Sequence, residues 1–302
     1  SPVMTANAPT HAPVRPIFRT PVRTAANATS NVIPRPTRMR IQGRQTILRS
    51  VHSEWTKFWT LRSTWITSFI AIALTALFGA GFAAALGQTD HFQEMAKDAI
   101  IYGLTFGQIV VAVLGALIIT GEYSSGQIRS SLAATPNRGR LLLSKAVVLA
   151  IVAFILGSMS IFLSWAISKP FLGEHAGSLT DSHYAGYIWG SGLSFAGIAL
   201  MTLGISFLLR STAGAITVVV SLLFVLEIPL RLAAGQWSWV DKIIGCLPST
   251  VYSAVADPLQ VASQWGGEGA RFLTHGQAVA VFAAWAIIPL IVAWFVFTRR
   301  DA

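Results

Sequence analysis

The chain has 302 residues, 53% of them hydrophobic and only 11% charged, with a mean hydropathy of +0.60 and a formal net charge of +10. Soluble domains carry about 25% charged residues, so lipid is the solvent for much of this chain. Its basic residues lie beside apolar runs instead of forming a soluble basic domain, which argues against nucleic-acid binding, and its single cysteine, Cys246, rules out an intrachain disulfide or a cysteine-based metal site.

Residues 1–45 contain no apolar run from which a cleavable secretory signal could be built. They are rich in Pro, Arg, Ala, Thr and Asn, a composition that buries too little apolar surface to offset chain entropy, and a disordered cytoplasmic arm is expected there. Its scattered arginines, among them Arg15, Arg23, Arg38 and Arg44, would also suit a tether to anionic lipid. Residues 47–62 follow as an amphipathic helix. Ile47, Leu48, Val51, Trp55, Phe58 and Trp59 share one arc, while Arg49, Ser50, Ser53, Thr56 and Lys57 fill the opposite face. Such a helix lies in the membrane interface, with its Trp rings at headgroup depth and its lysine reaching water. The alternative is a continuation of the first span.

Crossing about 30 Å of hydrocarbon takes about 20 apolar residues. Six segments meet that length: 65–86, 99–120, 146–167, 188–209, 212–230 and 278–298. The fold class expected is therefore an all-α polytopic membrane protein. With six spans both termini share one side. That side, with the second-to-third loop and the fourth-to-fifth turn, collects seventeen of the 22 lysines and arginines. Positive flanks stay in the cytoplasm, so both termini are placed there.

Gly103 and Gly107, and Gly186 and Gly190, stand four apart and allow helices to approach closely. Glu227 is the only ionisable residue well inside a span and lies four residues before Arg231. Either the two form an interfacial ion pair or Glu227 is a carboxylate on a translocation path. Residues 232–277 are longer than a turn requires and carry Trp237, Trp239, Ile243, Ile244, Leu247, Val251, Tyr252 and Val255. A re-entrant or interfacial pair of short helices broken near Pro248 is expected, with a soluble extracellular loop as the alternative.

No catalytic constellation is visible. All six histidines lie outside the apolar segments, and no phosphate-cradling glycine-rich loop with its lysine is present, so no route to ATP hydrolysis by this chain is apparent. The most informative stretch is 121–145. Glu122 and Tyr123 sit just past the second span. A short helix over 124–134 then carries Gly126, Gln127, Ile128, Arg129 and Leu132, and Pro136 stops it. Arg138, Arg140 and Lys145 follow and are expected to face the cytoplasm. An ordinary positively charged loop would read the same way.

The run Glu122 to Leu132, with its later proline, basic residues and Lys145–Ala146, resembles the type-2 ABC exporter permeases of bacteria. The preceding Ser53–Trp65, with Glu54, Trp55, Lys57 and Trp59, resembles the connecting helix of the same family. The resemblance covers residues 47–300. It implies a permease of the bacterial cytoplasmic membrane, paired as a homodimer or heterodimer and driven by separate ABC ATPase subunits that bind the ATP and magnesium. It further implies that Glu122, Tyr123, Gly126, Gln127, Ile128, Arg129, Leu132, Pro136 and Arg138 belong to a coupling segment docking on that ATPase. The cargo suited to such spans is a hydrophobic or amphipathic drug, peptide or lipid. An ATPase-independent carrier or a membrane-embedded enzyme is the competing class.

Overall fold

The computed structural model describes residues 46–259 and 273–299, all helical or in short connections. The arm expected over residues 1–45 lies outside them. Among the described residues six helices are long and apolar enough to cross a bilayer.

Helix α1 (Ile47–Thr60) ends at Leu61, whose extended backbone makes an elbow into the first span, α2 (Arg62–Gly87). The break separates the two helices, so α1 is not a continuation of the span. Trp59 and Trp65 pack across the elbow with ring centroids 4.7 Å apart, and the Trp65 indole donates to the Trp59 carbonyl at 2.9 Å. Along α2 the small residues Ala71, Thr75, Gly79 and Ala83 recur every fourth position and face the bundle, while Phe69, Leu77 and Phe78 point outward. Lipid offers no hydrophobic drive between helices, so close packing of small side chains has to supply it.

A short helix, α3 (Gln93–Ala96), and a tight 3-10 segment (Lys97–Gly103) lead into the second span, α4 (Leu104–Ser125). Here the backbones of α2 and the 3-10 segment nearly touch. A Cβ on Gly103 would lie 1.9 Å from the Thr75 carbonyl oxygen, so only glycine fits. After α5 (Ile128–Ala134) comes the third span, α6 (Arg138–Leu172), capped by the Asn137 side chain, which accepts from the Arg140 amide at 3.1 Å.

The fourth span, α7 (Ser182–Leu209), is the most buried of the six and packs against α4, α6 and α12. Arg210, in left-handed geometry at φ 53°, turns the chain into the fifth span. That span is α8 (Thr212–Val220), a widened π turn (Ser221–Val225) and α9 (Glu227–Leu232). The π turn lies just ahead of Pro229, whose ring cannot seat against the Val225 carbonyl in a regular helix.

Next come α10 (Ser238–Cys246) and α11 (Pro248–Ala256), two short helices broken at Pro248. Exposed Trp237 and Trp239 stack at the start of α10, 6.2 Å apart. Helix α11 instead inserts against α7 and α12 and buries Val251, Tyr252, Ala254 and Val255. The last span is α12 (His275–Arg299). The part of the 232–277 segment between residues 260 and 272 lies outside the described residues.

Candidate functional site

The site is at the end of the bundle where α1, the end of α4, α5 and the start of α6 converge. Ser50, Glu54 and Phe58 occur at four-residue intervals and form the buried stripe of α1, with Lys57 beside it. The face of α1 turned to the protein is mixed, Ser50 and Glu54 beside Phe58 with Val51 and Trp55 against the core, while Ile47, Leu48 and Trp59 are exposed along with Arg49, Ser53 and Thr56. Lys57, expected to reach water, is part-exposed, and its ammonium turns to the protein: it donates to Glu54 at 2.9 Å, to Ser131 at 2.8 Å and to Glu122 at 3.3 Å.

Helix α4 runs three residues past Glu122 and ends at Gly126, whose φ of 73° suits glycine far better than any residue with a Cβ. Glu122 therefore sits inside the helix, one turn before its end, and points into the protein. Lys145, one side chain expected to face the cytoplasm, is 1% exposed. Two turns into α6 it is surrounded by apolar neighbours, and it stays inside because two carboxylates meet it there. Its ammonium donates to Glu54 Oε2 and to Glu122 Oε1, both at 2.7 Å.

The result is a closed ring of four charges, Glu54, Lys57, Glu122 and Lys145, in which each ammonium bonds both carboxylates. Desolvating an unpaired ion costs several kcal/mol, so each member depends on the others. Burial works to lower the Lys57 pKa, but the hydrogen bond and charge of Glu54, followed by the charge of Glu122, overcome it and hold the ammonium above its usual 10.5. A half-open cavity of about 290 Å³ adjoins the ring and is lined by all four of its members together with Thr60, Ser63 and Gln127.

Secondary contacts brace the same end. Ser50 and Thr135 hydroxyls lie 3.4 Å apart and tie α1 to the link between α5 and α6. The Arg210 guanidinium lies 5.2 Å from the Tyr123 ring centroid, and Thr212 donates to Thr120 at 2.6 Å, joining the fifth span to the second. Arg138 donates to the Phe297 carbonyl at 3.2 Å and so holds α6 to α12.

Other residues singled out from the sequence are placed differently. Ile128 is buried and Leu132 packs against the core, so these two side chains hold α5 to the bundle instead of projecting from it. Gln127, Arg129 and Pro136 are exposed, as is Gly126. Trp55 is half-buried and packs edge-on to exposed Trp59 at 5.6 Å. Glu227 pairs with Arg231 across one helical turn, with Arg231 half exposed. That pair is at the far end of the fifth span from Thr212, about 22 Å along it, and takes no part in the ring. Sequence reasoning missed Lys145, Ser131 and Ser50 as site residues. The available signal was Lys145 itself, a lone lysine inside the apolar run 141–156.

Fold and site together define a multi-pass membrane protein in which two short helices and two spans are locked at one end by buried charge. Residues 50–229 match the family model described as an ABC-2 family transporter protein, a stretch enclosing all four ring residues. The chain belongs to the ABC-2 transporter family, and it is a permease subunit of an ABC transport system, a family whose members partner an ABC ATPase. No curated protein matches the chain.

Proposed function

We propose that this permease exports a hydrophobic or amphipathic cargo across the bacterial cytoplasmic membrane, working as a dimer with two ATPase subunits that bind ATP and magnesium. Both termini and the charge ring then face the cytoplasm, in keeping with the seventeen lysines and arginines on that side. The coupling segment docks on the ATPase through its outward residues, Gly126, Gln127, Arg129 and Ser130, while Glu122, Ile128 and Ser131 anchor it from behind.

The observation that carries this reading is the ring. A push on α5 reaches Lys57 through Ser131 and is shared at once by α1, α4 and α6, because one set of ionic hydrogen bonds joins them. Helix α6 packs along α7 and α2, so movement at the ring enters the spans that line the bundle. Co-expression with the cognate ABC ATPase tests the docking. The wild-type chain should retain the ATPase on purification and stimulate its ATP hydrolysis, and Arg129→Glu should reduce both at least tenfold with membrane insertion intact. Retention equal to wild type would remove this face as the contact.

A further inference from the structure

The same end of the bundle carries a second feature that transport coupling does not use. A groove of about 440 Å³ opens on the lipid-facing surface between the start of α6 and the second half of α12. Asn137 and Arg140 form its polar end, and Leu143, Leu290, Ile291 and Trp294 are among its apolar walls. Leu143, Ile291 and Trp294 are each between 43% and 47% exposed, so the walls are accessible from the bilayer.

The charge pattern selects the occupant. At this end the only described carboxylates are Glu54 and Glu122, and both are committed to the ring. Outside the ring, every charged side chain described there, from Arg49 to Arg299, is an arginine. The first turn of α6 has no acidic residue, and its amino terminus adds the positive end of a 35-residue helix. A guanidinium offers five donors in a planar fork that matches phosphate oxygens, so Arg140 can serve a phosphate alongside other contacts. Depth agrees as well. Ile291 lies about 10 Å inward of Thr298 along α12, at acyl-chain level, with Trp294 between them at the level where indoles favour headgroups.

We propose that the groove holds one anionic phospholipid, its phosphate on Arg140 at the amino terminus of α6 and one acyl chain along Leu143, Leu290 and Ile291. Basic recesses between membrane helices are suited to such headgroups. Ile47 lines the same groove, so the lipid would also bridge the start of α1 to α12.

Native mass spectrometry of the full chain released from nanodiscs tests this, using phosphatidylglycerol and phosphatidylcholine with identical acyl chains. One phosphatidylglycerol should be retained in preference to phosphatidylcholine. Arg140→Gln should lower that preference about fivefold, the effect of one arginine near an anionic headgroup. Leu143→Trp, at an exposed position, should fill the groove and abolish retention of both lipids. Arg62→Gln makes the same change of charge outside the groove and should leave retention unchanged. Equal retention of the two lipids, equal losses in Arg140→Gln and Arg62→Gln, or a lipid still held by Leu143→Trp would each overturn the assignment. Displacement of the lipid by inorganic phosphate at millimolar concentration would overturn it too, because the acyl contacts would then contribute nothing.

Discussion

The two ends of the bundle solve the same problem in opposite ways. At the ring end, α1, α4 and α6 are joined side chain to side chain by full charges with little exposure, and α5 is tied in through Ser131. At the other end polar side chains mostly bond main-chain carbonyls. Tyr252 donates to the Leu104 carbonyl at 3.0 Å, Trp285 to that of Cys246 at 2.8 Å, and His275 Nε2 lies 2.7 Å from the carbonyl of Ala254. Charge pairs can be exchanged among partners as helices shift, whereas side chains fastened to particular carbonyls, together with a glycine packed onto the next helix at Gly103, fix one arrangement. The difference suits an end that moves and an end that holds.

Removing charge from the ring should break that contrast most sharply. Lys145→Met leaves two buried carboxylates to share one ammonium, and thermal unfolding in detergent should show a loss of about 3–5 kcal/mol. Adding Glu122→Gln to that variant should recover part of the loss, because the repulsion between the carboxylates goes with it; strictly additive losses would mean that the four groups do not act as a unit. At the opposite end Tyr252→Phe removes a single hydrogen bond within a packed helix and should cost about 1 kcal/mol in the same measurement. A loss as large as that of Lys145→Met would erase the distinction between the ends. Smallest of all should be Glu227→Gln, since its partner Arg231 is half exposed: less than about 1 kcal/mol, with transport of a reporter cargo by reconstituted vesicles unchanged. Transport that stops without loss of stability would instead put Glu227 on the cargo path.

The spans were legible because lipid imposes a simple rule, about 20 apolar residues per crossing, and 188–209 or 278–298 obey it without interruption. The pair of short helices was legible for a related reason: Pro248 divides apolar stretches too short to cross. The ring was not. Its members come from positions 54, 57, 122 and 145, and no periodicity relates residues on three different elements. The amphipathic pattern of α1 misled as well, since it assigns the charged face to water by default. Arg49, Ser53 and Thr56 of that face are exposed, but Glu54 and the Lys57 ammonium turn inward because their partners, Glu122 and Lys145, lie across from them, and partners are a property of the fold, not of the helix. In the same way the family resemblance implies Ile128 as a docking contact, yet the left-handed turn at Gly126 swings α5 back so that this residue packs inside.

Two carboxylates and two ammonium groups sum to zero. A displacement of the ring as one body therefore does no net electrical work against the voltage across the membrane, whereas a lone lysine carried through the whole field would exchange about 2.3 kcal/mol per 100 mV. In the proposed transport cycle, neutrality at the joint would leave nucleotide turnover to set the motion whether the cell is energised or depolarised.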